Sequence, residues 1–391
     1  MAITPRLALM FSIVLLDIIS FSLFIPVLPY YALSLGASPT EAGILTGIYA
    51  LCQFFGAPII GRLSDFAGRK PLLLLDFAVN TCAFFLLAHA SALWMLFLAR
   101  CLAGCVAATL PLTQAYMSDI TPPEQRSNAL GLLGAAFGLG FTIGPFAGGM
   151  LSKHGYALPA LVAAAVCAAN FMITALLLPE SQSRSAPYHD NASAVLPSFC
   201  DMTLWKRLIT SPRSALLLLF WAAFSVAFAM FQQNIALVNK LQLQLSSRET
   251  GYVFAWIGIL VFIMQGGVLR LLTKAYSDEA LVRMTAPILV VSLLGWAFTS
   301  SWYILACILV PLCFSASTLI TVVNSLLSKS VPIHDVGATM GIAGAIDNST
   351  RFITAFAGGA LIERVGTFAP GVCAALVMSI ALILLPKKHT A

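Results

Sequence analysis

The hydrophobic pattern of this chain is a series of long apolar runs broken by short polar connections. Twelve such runs occur, at about 7 to 28, 41 to 61, 71 to 89, 92 to 117, 128 to 151, 156 to 178, 213 to 239, 249 to 272, 281 to 299, 301 to 325, 336 to 360 and 367 to 386. Each is close to the roughly 20 residues a helix needs to cross the hydrocarbon core of a bilayer. Lipid offers no partners for backbone N–H and C=O groups, so runs of this length are expected to be helical. One connection is longer: residues 179–212 are polar and carry four prolines. The chain therefore reads as six plus six, with domains 1–178 and 213–391 joined by the linker 179–212.

Composition sharpens the picture. The chain is 60% hydrophobic and only 9% charged, whereas soluble domains carry roughly 25% Asp, Glu, Lys and Arg. The partner for most of its surface must be a lipid bilayer. The expected fold class is an all-α membrane protein, with twelve transmembrane helices in two pseudo-symmetric six-helix bundles. A cleavable signal peptide is a poor reading of the first run, which has Asp17 in its middle and no small-residue cleavage site before Tyr30.

The formal charge of +6 is a topology signal, because the basic residues sit at span ends; no nucleic-acid partner is implied. With both termini cytoplasmic, fifteen Lys and Arg residues lie on the cytoplasmic side. Four lie outside (Lys153, Lys240, Arg248, Arg364) and two within spans (Arg100, Arg351). That asymmetry orients the chain, and a multi-pass protein of a bacterial inner membrane is expected, with a eukaryotic plasma or internal membrane as the alternative. Eight of nine cysteines fall inside spans, so neither a disulfide framework nor a metal site is offered. The spans hold no His and carboxylate cluster and no activated Ser or Cys arrangement, so an enzyme is not expected and no cofactor is implied.

Sliding the chain by 210 residues lays "GLLGAAFGLGFTIGPFAGGML" (131–151) on "GIAGAIDNSTRFITAFAGGAL" (341–361). Gly131, Gly134, Ala135, Ile143, Phe146, Ala147, Gly148, Gly149 and Leu151 all meet identical residues. Two homologous six-helix halves are a known transporter plan, with a substrate site near the midplane and alternating access by rocking one half against the other. The repeat also fails informatively: Phe137 faces Asp347, Phe141 faces Arg351, and Gly144 with Pro145 faces Thr354 with Ala355.

Asp17, Arg100, Asp347 and Arg351 lie inside spans. A charge at the bilayer centre costs about 2.5 to 3.5 kcal/mol on insertion scales, so such residues normally face a partner or a water cavity. Asp17 reads as a proton-coupling carboxylate, as a structural polar contact, or as a substrate contact. Arg100 cannot release its proton; it anchors a carboxylate, with Asp17 the candidate, or an anionic substrate group. Asp347 and Arg351 have the i, i+4 spacing of a pair on one helix face; that pair either satisfies itself or opens during transport. Asp76 is placed near the inner headgroups, where a charge is cheap. Gln232, Gln233, Asn234, Gln265, Asn324 and Asn348, with Phe21, Tyr49, Phe54 and Trp256, are candidates for an amphipathic cavity, against interhelical hydrogen bonding and ordinary packing.

Charge is concentrated in "GRLSDFAGRK" (61–70). Gly61 and Gly68 permit close packing and a tight turn, and Asp65 can approach a helix N-terminus. Lys70 adds a further positive charge, and Arg69 is placed to reach Asp119 at the end of span 4. Breakable charge contacts of this kind suit a latch; a plain positive loop is the bland alternative.

With the following Pro71, this stretch resembles the signature of the major facilitator superfamily between helices 2 and 3. "LDIISFSLFIPVLP" (16–29), "LARCLAGCVAA" (98–108) and "GFTIGPFAGG" (140–149) resemble the helix 1, 4 and 5 motifs of its drug:proton antiporters. With "SLGASPTEAGIL" (34–45), the likeness is to the tetracycline-efflux-like branch. The resemblance implies a proton-coupled exporter of an amphipathic small molecule, working as a monomer on the proton gradient. In it, Asp65 contacts the start of helix 11, Arg69 pairs with Asp119, Arg100 serves proton coupling, and Gly140, Gly144, Pro145, Gly148 and Gly149 form the helix 5 motif and hinge. "NTCAFF" (80–85) and "VVSLLGW" (290–296) lack the acidic residues that tetracycline exporters carry in helices 3 and 9, which argues against a metal-chelated tetracycline as substrate. Uptake or facilitated diffusion of a metabolite is the second reading, and a non-transporting receptor on the same scaffold is the remote one.

Overall fold

The computed structural model describes residues 5–122, 125–181, 212–332 and 335–384, and the linker expected at 179–212 falls almost wholly outside them. Twelve helical segments follow the twelve apolar runs. They are α1 (Pro5–Ser34), α2 (Pro39–Ala67), α3 (Arg69–Ala88), α4 (Leu93–Ile120), α5 (Arg126–Ser152), α6 (Ala157–Leu177), α7 (Pro212–Leu241), α8 (Ser247–Ile263, continued to Ala275), α9 (Asp278–Ala297), α10 (Trp302–Lys329), α11 (Val336–Arg364) and α12 (Ala369–Leu384). Among the described residues nine of these are long and apolar enough to cross a membrane. The other three are α8, which is interrupted, α11, which carries Asp347 and Arg351, and the shorter α12.

Local chemistry explains the ends and the breaks. At the start of α2, Ser38 accepts from the Glu41 amide while the Glu41 carboxylate accepts from the Ser38 amide, a reciprocal capping box. Gly68 ends α2 at φ 95°, a conformation open to glycine and strained for other residues. Three runs expected to be continuous helices are not. α1 breaks between Leu23 and Leu28, beside Pro26 and Pro29. α4 breaks at Ala107 and Ala108, where the Gln53 side chain donates to the freed Ala107 carbonyl at 3.3 Å. α8 passes through one π-helical turn, Met264–Val268, which contains Gln265. Such turns interrupt α-helices where the sequence permits a local widening, and this one contains Gly266 and Gly267.

The described residues fall into two compact units. One lies within Met1–Tyr188 and Gln244–Gly258, the other within His189–Leu243 and Ile259–Ala391. Helix packing repeats between them: α1 packs on α5 as α7 packs on α11, α3 on α6 as α9 on α12, and α3 on α4 as α9 on α10. The 210-residue repeat is thus visible as repeated packing. The first unit has a buried core of Met10, Ile13, Val14, Ile18, Leu73, Phe77, Leu112, Tyr116, Met117 and Leu133. Against lipid tails such a core gains little from apolar burial; close packing and interhelical hydrogen bonds hold it. Asn170 of α6 supplies one such bond, donating to the Ile13 carbonyl of α1 at 3.0 Å.

Candidate functional site

At the α2–α3 turn a charge network is assembled. Arg69 of α3 pairs with Asp65 of α2 at 2.7 Å and with Asp119 of α4 at 3.6 Å, and also hydrogen-bonds Ser64. The Arg69 to Asp119 contact expected from the motif therefore forms. The helix N-terminus in this turn is held by a group the sequence did not point to. Glu180 accepts from the backbone amides of Arg69 (3.0 Å) and Lys70 (3.2 Å), and a carboxylate there is favoured by the helix dipole. Lys70 donates to the Ala175 carbonyl at 2.8 Å, and Ser181 donates to Asp119 at 3.0 Å. Asp65 pairs with Arg69 within the turn, and one expectation changes: Gly61 faces open space rather than a close neighbour.

Along α5 the glycines work on two faces. A Cβ at Gly140, Gly144 or Gly148 would run into Ile18, Ser22 and the Leu23 backbone of α1, so the motif sets a close α1–α5 seam. Ser22 of α1 donates across it to the Gly140 carbonyl at 3.0 Å. The other face takes the first turns of α8, which belong to the same unit: Gly149 lies against Gly251, and Gly258 lies against Thr142. Ser152 and Ser247 share a 2.7 Å hydrogen bond, and Tyr30 binds the Thr250 hydroxyl at 2.6 Å. Pro145 sits within α5 and is buried beside Gly144.

The interior charges of the first unit are arranged differently from the expectation. Among the described residues no carboxylate pairs with Arg100. Its guanidinium is buried at 7% exposure over the rings of Tyr49 (4.5 Å) and Phe21 (5.8 Å), and its Nε has no hydrogen-bond partner. A desolvated cation over aromatic faces gains about 2 kcal/mol, enough to offset part of its burial. Phe21 continues the aromatic wall to Tyr49 (5.0 Å) and Phe141 (6.3 Å), and Phe141 stacks on Phe137 (5.7 Å).

Asp17 is half-buried, with the Thr109 hydroxyl as its polar neighbour. Asp76, set aside in the sequence reading, proves to be a buried and bonded carboxylate. It is 1% exposed, accepts from Asn80 at 2.7 Å and from Thr109, and faces Asp17 electrostatically. The break in α4 explains this, since Thr109 opens the second half of that helix and turns its hydroxyl to Asp76.

In the second unit Asp347 and Arg351 pair within α11 at 3.0 Å, each about one-third exposed. Their repeat mates are the stacked Phe137 and Phe141, so the two halves keep an i, i+4 self-contact and exchange an aromatic stack for an ion pair. Of the amide candidates, Asn234 is a structural contact, donating to the Thr354 carbonyl of α11 at 3.1 Å. Gln232, Gln233, Asn324 and Asn348 are half-buried in the second unit and Gln265 is exposed, whereas Phe21, Tyr49 and Trp256 belong to the first.

Repeated helical packing around interior charges defines a polytopic membrane transport protein rather than an enzyme. The chain matches the Major Facilitator Superfamily model over residues 10–355 and belongs to that family. It is 29% identical over 374 residues to human solute carrier family 67 member A1, covering 93% of this chain and 87% of the relative. It is 30% identical over 345 residues to the class C tetracycline resistance protein of Escherichia coli, covering 86% and 84%. The crystal structure of the human organic anion transporter MFSD10 (TETRAN) shares the fold, with a TM-score of 0.68 at 20% identity, covering 98% of this chain and 100% of that one.

Proposed function

We propose that this transporter exports an amphipathic small molecule in exchange for protons, by alternating access, with Asp17 as the proton-carrying carboxylate. The observation that carries this reading is the interior of the first unit: Asp17 has no basic partner among the described residues, while Arg100 is balanced by aromatic faces instead of by a carboxylate. A carboxylate freed from an ion pair can change its charge state without breaking one, which is what coupling to a proton gradient demands. Arg100 keeps the positive field constant, because it stays protonated throughout.

Export is favoured by the α5 motif, intact in its glycines and proline, and by the relationship to proteins named for tetracycline resistance. The aromatic wall of Phe21, Tyr49, Phe141 and Phe137 suits an apolar ring system on the substrate. The charge count across the connections supports two cytoplasmic termini. The test uses proteoliposomes with a pH indicator trapped inside. Fluorescent amphipathic dyes, one cationic, one anionic and one neutral, are presented with and without an imposed pH gradient. At least one dye is expected to move uphill with counter-movement of protons. Arg100→Ala and Asp17→Asn are expected to remove the uphill component. Uphill transport at the wild-type rate by Asp17→Asn would remove the assignment.

A further inference from the structure

We propose that Asp76 is a second proton-carrying residue, sharing a single proton with Asp17 through the hydroxyl of Thr109. The inference builds on the reading of Asp17 as proton carrier and adds a residue that no motif of the chain contains. It starts from hydrogen-bond inventory. A threonine hydroxyl has one hydrogen to give, and Thr109 gives it to the Asp76 carboxylate. Asp17 is a neighbour of the same hydroxyl, and with that hydrogen given to Asp76 it can bond there only by donating a proton of its own. The arrangement is therefore complete with one proton on the two carboxylates and short by a donor with none.

The surroundings point the same way. The groups acting electrostatically on Asp76 are Asp17 from α1, with Thr109 from α4 and Asn80 from its own helix; the Cys167 thiol from α6 faces both carboxylates. None of these groups is positive, and two negative charges within the spans without a counter-ion would each carry the interior cost. A separate feature marks the pocket as a place for a mobile donor. Asn170, 0% exposed and one turn beyond Cys167, bonds α1 one turn before Asp17, and its Oδ1 is left without any donor. Buried acceptors are normally satisfied, so an orphan here marks a place for a water or a migrating proton.

The transfer balances. The O–H bond of Asp17 breaks as its proton bonds the Thr109 oxygen. The original Thr109 O–H bond breaks as that hydrogen bonds Asp76. The hydroxyl is regenerated, one proton has moved, and the negative charge has passed from Asp76 to Asp17. The break in α4 at Ala107 and Ala108 is what places this hydroxyl between the two helices.

Infrared pH-difference spectroscopy on the full chain in liposomes reads the proton without any substrate. The double variant Asp17→Asn/Asp76→Asn identifies the carboxylic-acid band as the one it removes. In wild type that band should account for one proton. Asp76→Asn is expected to change the proton affinity read from it by about tenfold or more, the signature of coupled sites. Thr109→Val, which keeps the shape and removes the hydroxyl, should shift the band, and Thr109→Ser should restore it. Two bands titrating independently, or an unchanged Asp17 band in both Asp76→Asn and Thr109→Val, would overturn the sharing. Independent titration with intact proton-driven flux would sink this inference alone. A shared proton in a protein that moves nothing uphill would instead sink the transport reading.

Discussion

Replacing Gly144 by Ala adds one methyl group within the close α1–α5 seam. The added Cβ would meet the Ser22 hydroxyl and lie 2.9 Å from the Ile19 carbonyl oxygen and 3.0 Å from the Leu23 amide nitrogen. Two of those three atoms are backbone and cannot rotate aside. The third, Ser22 Oγ, has the carbonyls of Ile18 (2.6 Å) and Gly140 (3.0 Å) to donate to, so turning it away risks a hydrogen bond. Overpacking of this kind costs about 1 to 3 kcal/mol, and rigid neighbours favour the upper end. Alanine recovers about 1 kcal/mol of helix propensity, which leaves Gly144→Ala roughly 2 kcal/mol below wild type.

Gly138 is the control on the same helix, since nothing lies within 4 Å of its added Cβ. There the propensity gain of about 1 kcal/mol stands alone, so the two variants should differ by roughly 3 kcal/mol. Thermal unfolding of the purified protein can be followed with a thiol-reactive fluorophore once the exposed Cys82, Cys105 and Cys307 are blocked, because Cys167 and Cys313 are buried until the helices separate. Gly144→Ala should melt below wild type and Gly138→Ala at or above it. Coincident melting of the two variants would refute the close seam.

Further outcomes follow from the charge contacts. Arg69→Ala should reduce transport strongly and cost about 1 to 3 kcal/mol of stability, because a guanidinium whose side chain is only 12% exposed loses two carboxylate contacts and its Ser64 hydrogen bond; flux and melting measured together read the two effects. Tyr49→Leu should cost about 0.5 to 2 kcal/mol through the lost ring beneath Arg100, as read by the same unfolding assay. For the α11 pair, Asp347→Asn and Arg351→Gln should each lower flux more than the double variant does, since a single change strands the remaining charge. Additivity in that cycle would show the pair does not act as a unit. Glu180→Gln should destabilise by about 0.3 to 1 kcal/mol through the loss of charge at the α3 N-terminus, with melting compared at low and high salt.

Much of this arrangement was readable in the chain. Lipid demands unbroken apolar runs, so the twelve segments and their order followed from hydropathy, and the 210-residue repeat anticipated the matching packing of α1 on α5 and α7 on α11. The Arg69 to Asp119 contact and the Asp347 to Arg351 pair were legible because motif and helical spacing fix them. Three features were not. The burial of Asp76 was missed because position along a helix says nothing about its neighbours, and the Thr109 hydroxyl reaches it through a break in α4. Glu180 stands outside the motif, at the start of a polar stretch, and finds its helix N-terminus only in three dimensions. Arg100 was offered a carboxylate or an anionic substrate group because opposite charge is the obvious answer, and the ring faces that the fold places under it were not foreseen.

The coupling role of Asp17 is tested most directly by comparing two modes of transport in one preparation of Asp17→Asn proteoliposomes. Exchange of labelled for unlabelled substrate across the membrane requires no net proton movement, while accumulation driven by a pH gradient does. Exchange near the wild-type rate with accumulation abolished is the expected result. Retained pH-driven accumulation, or loss of both modes in a correctly folded variant, would contradict it.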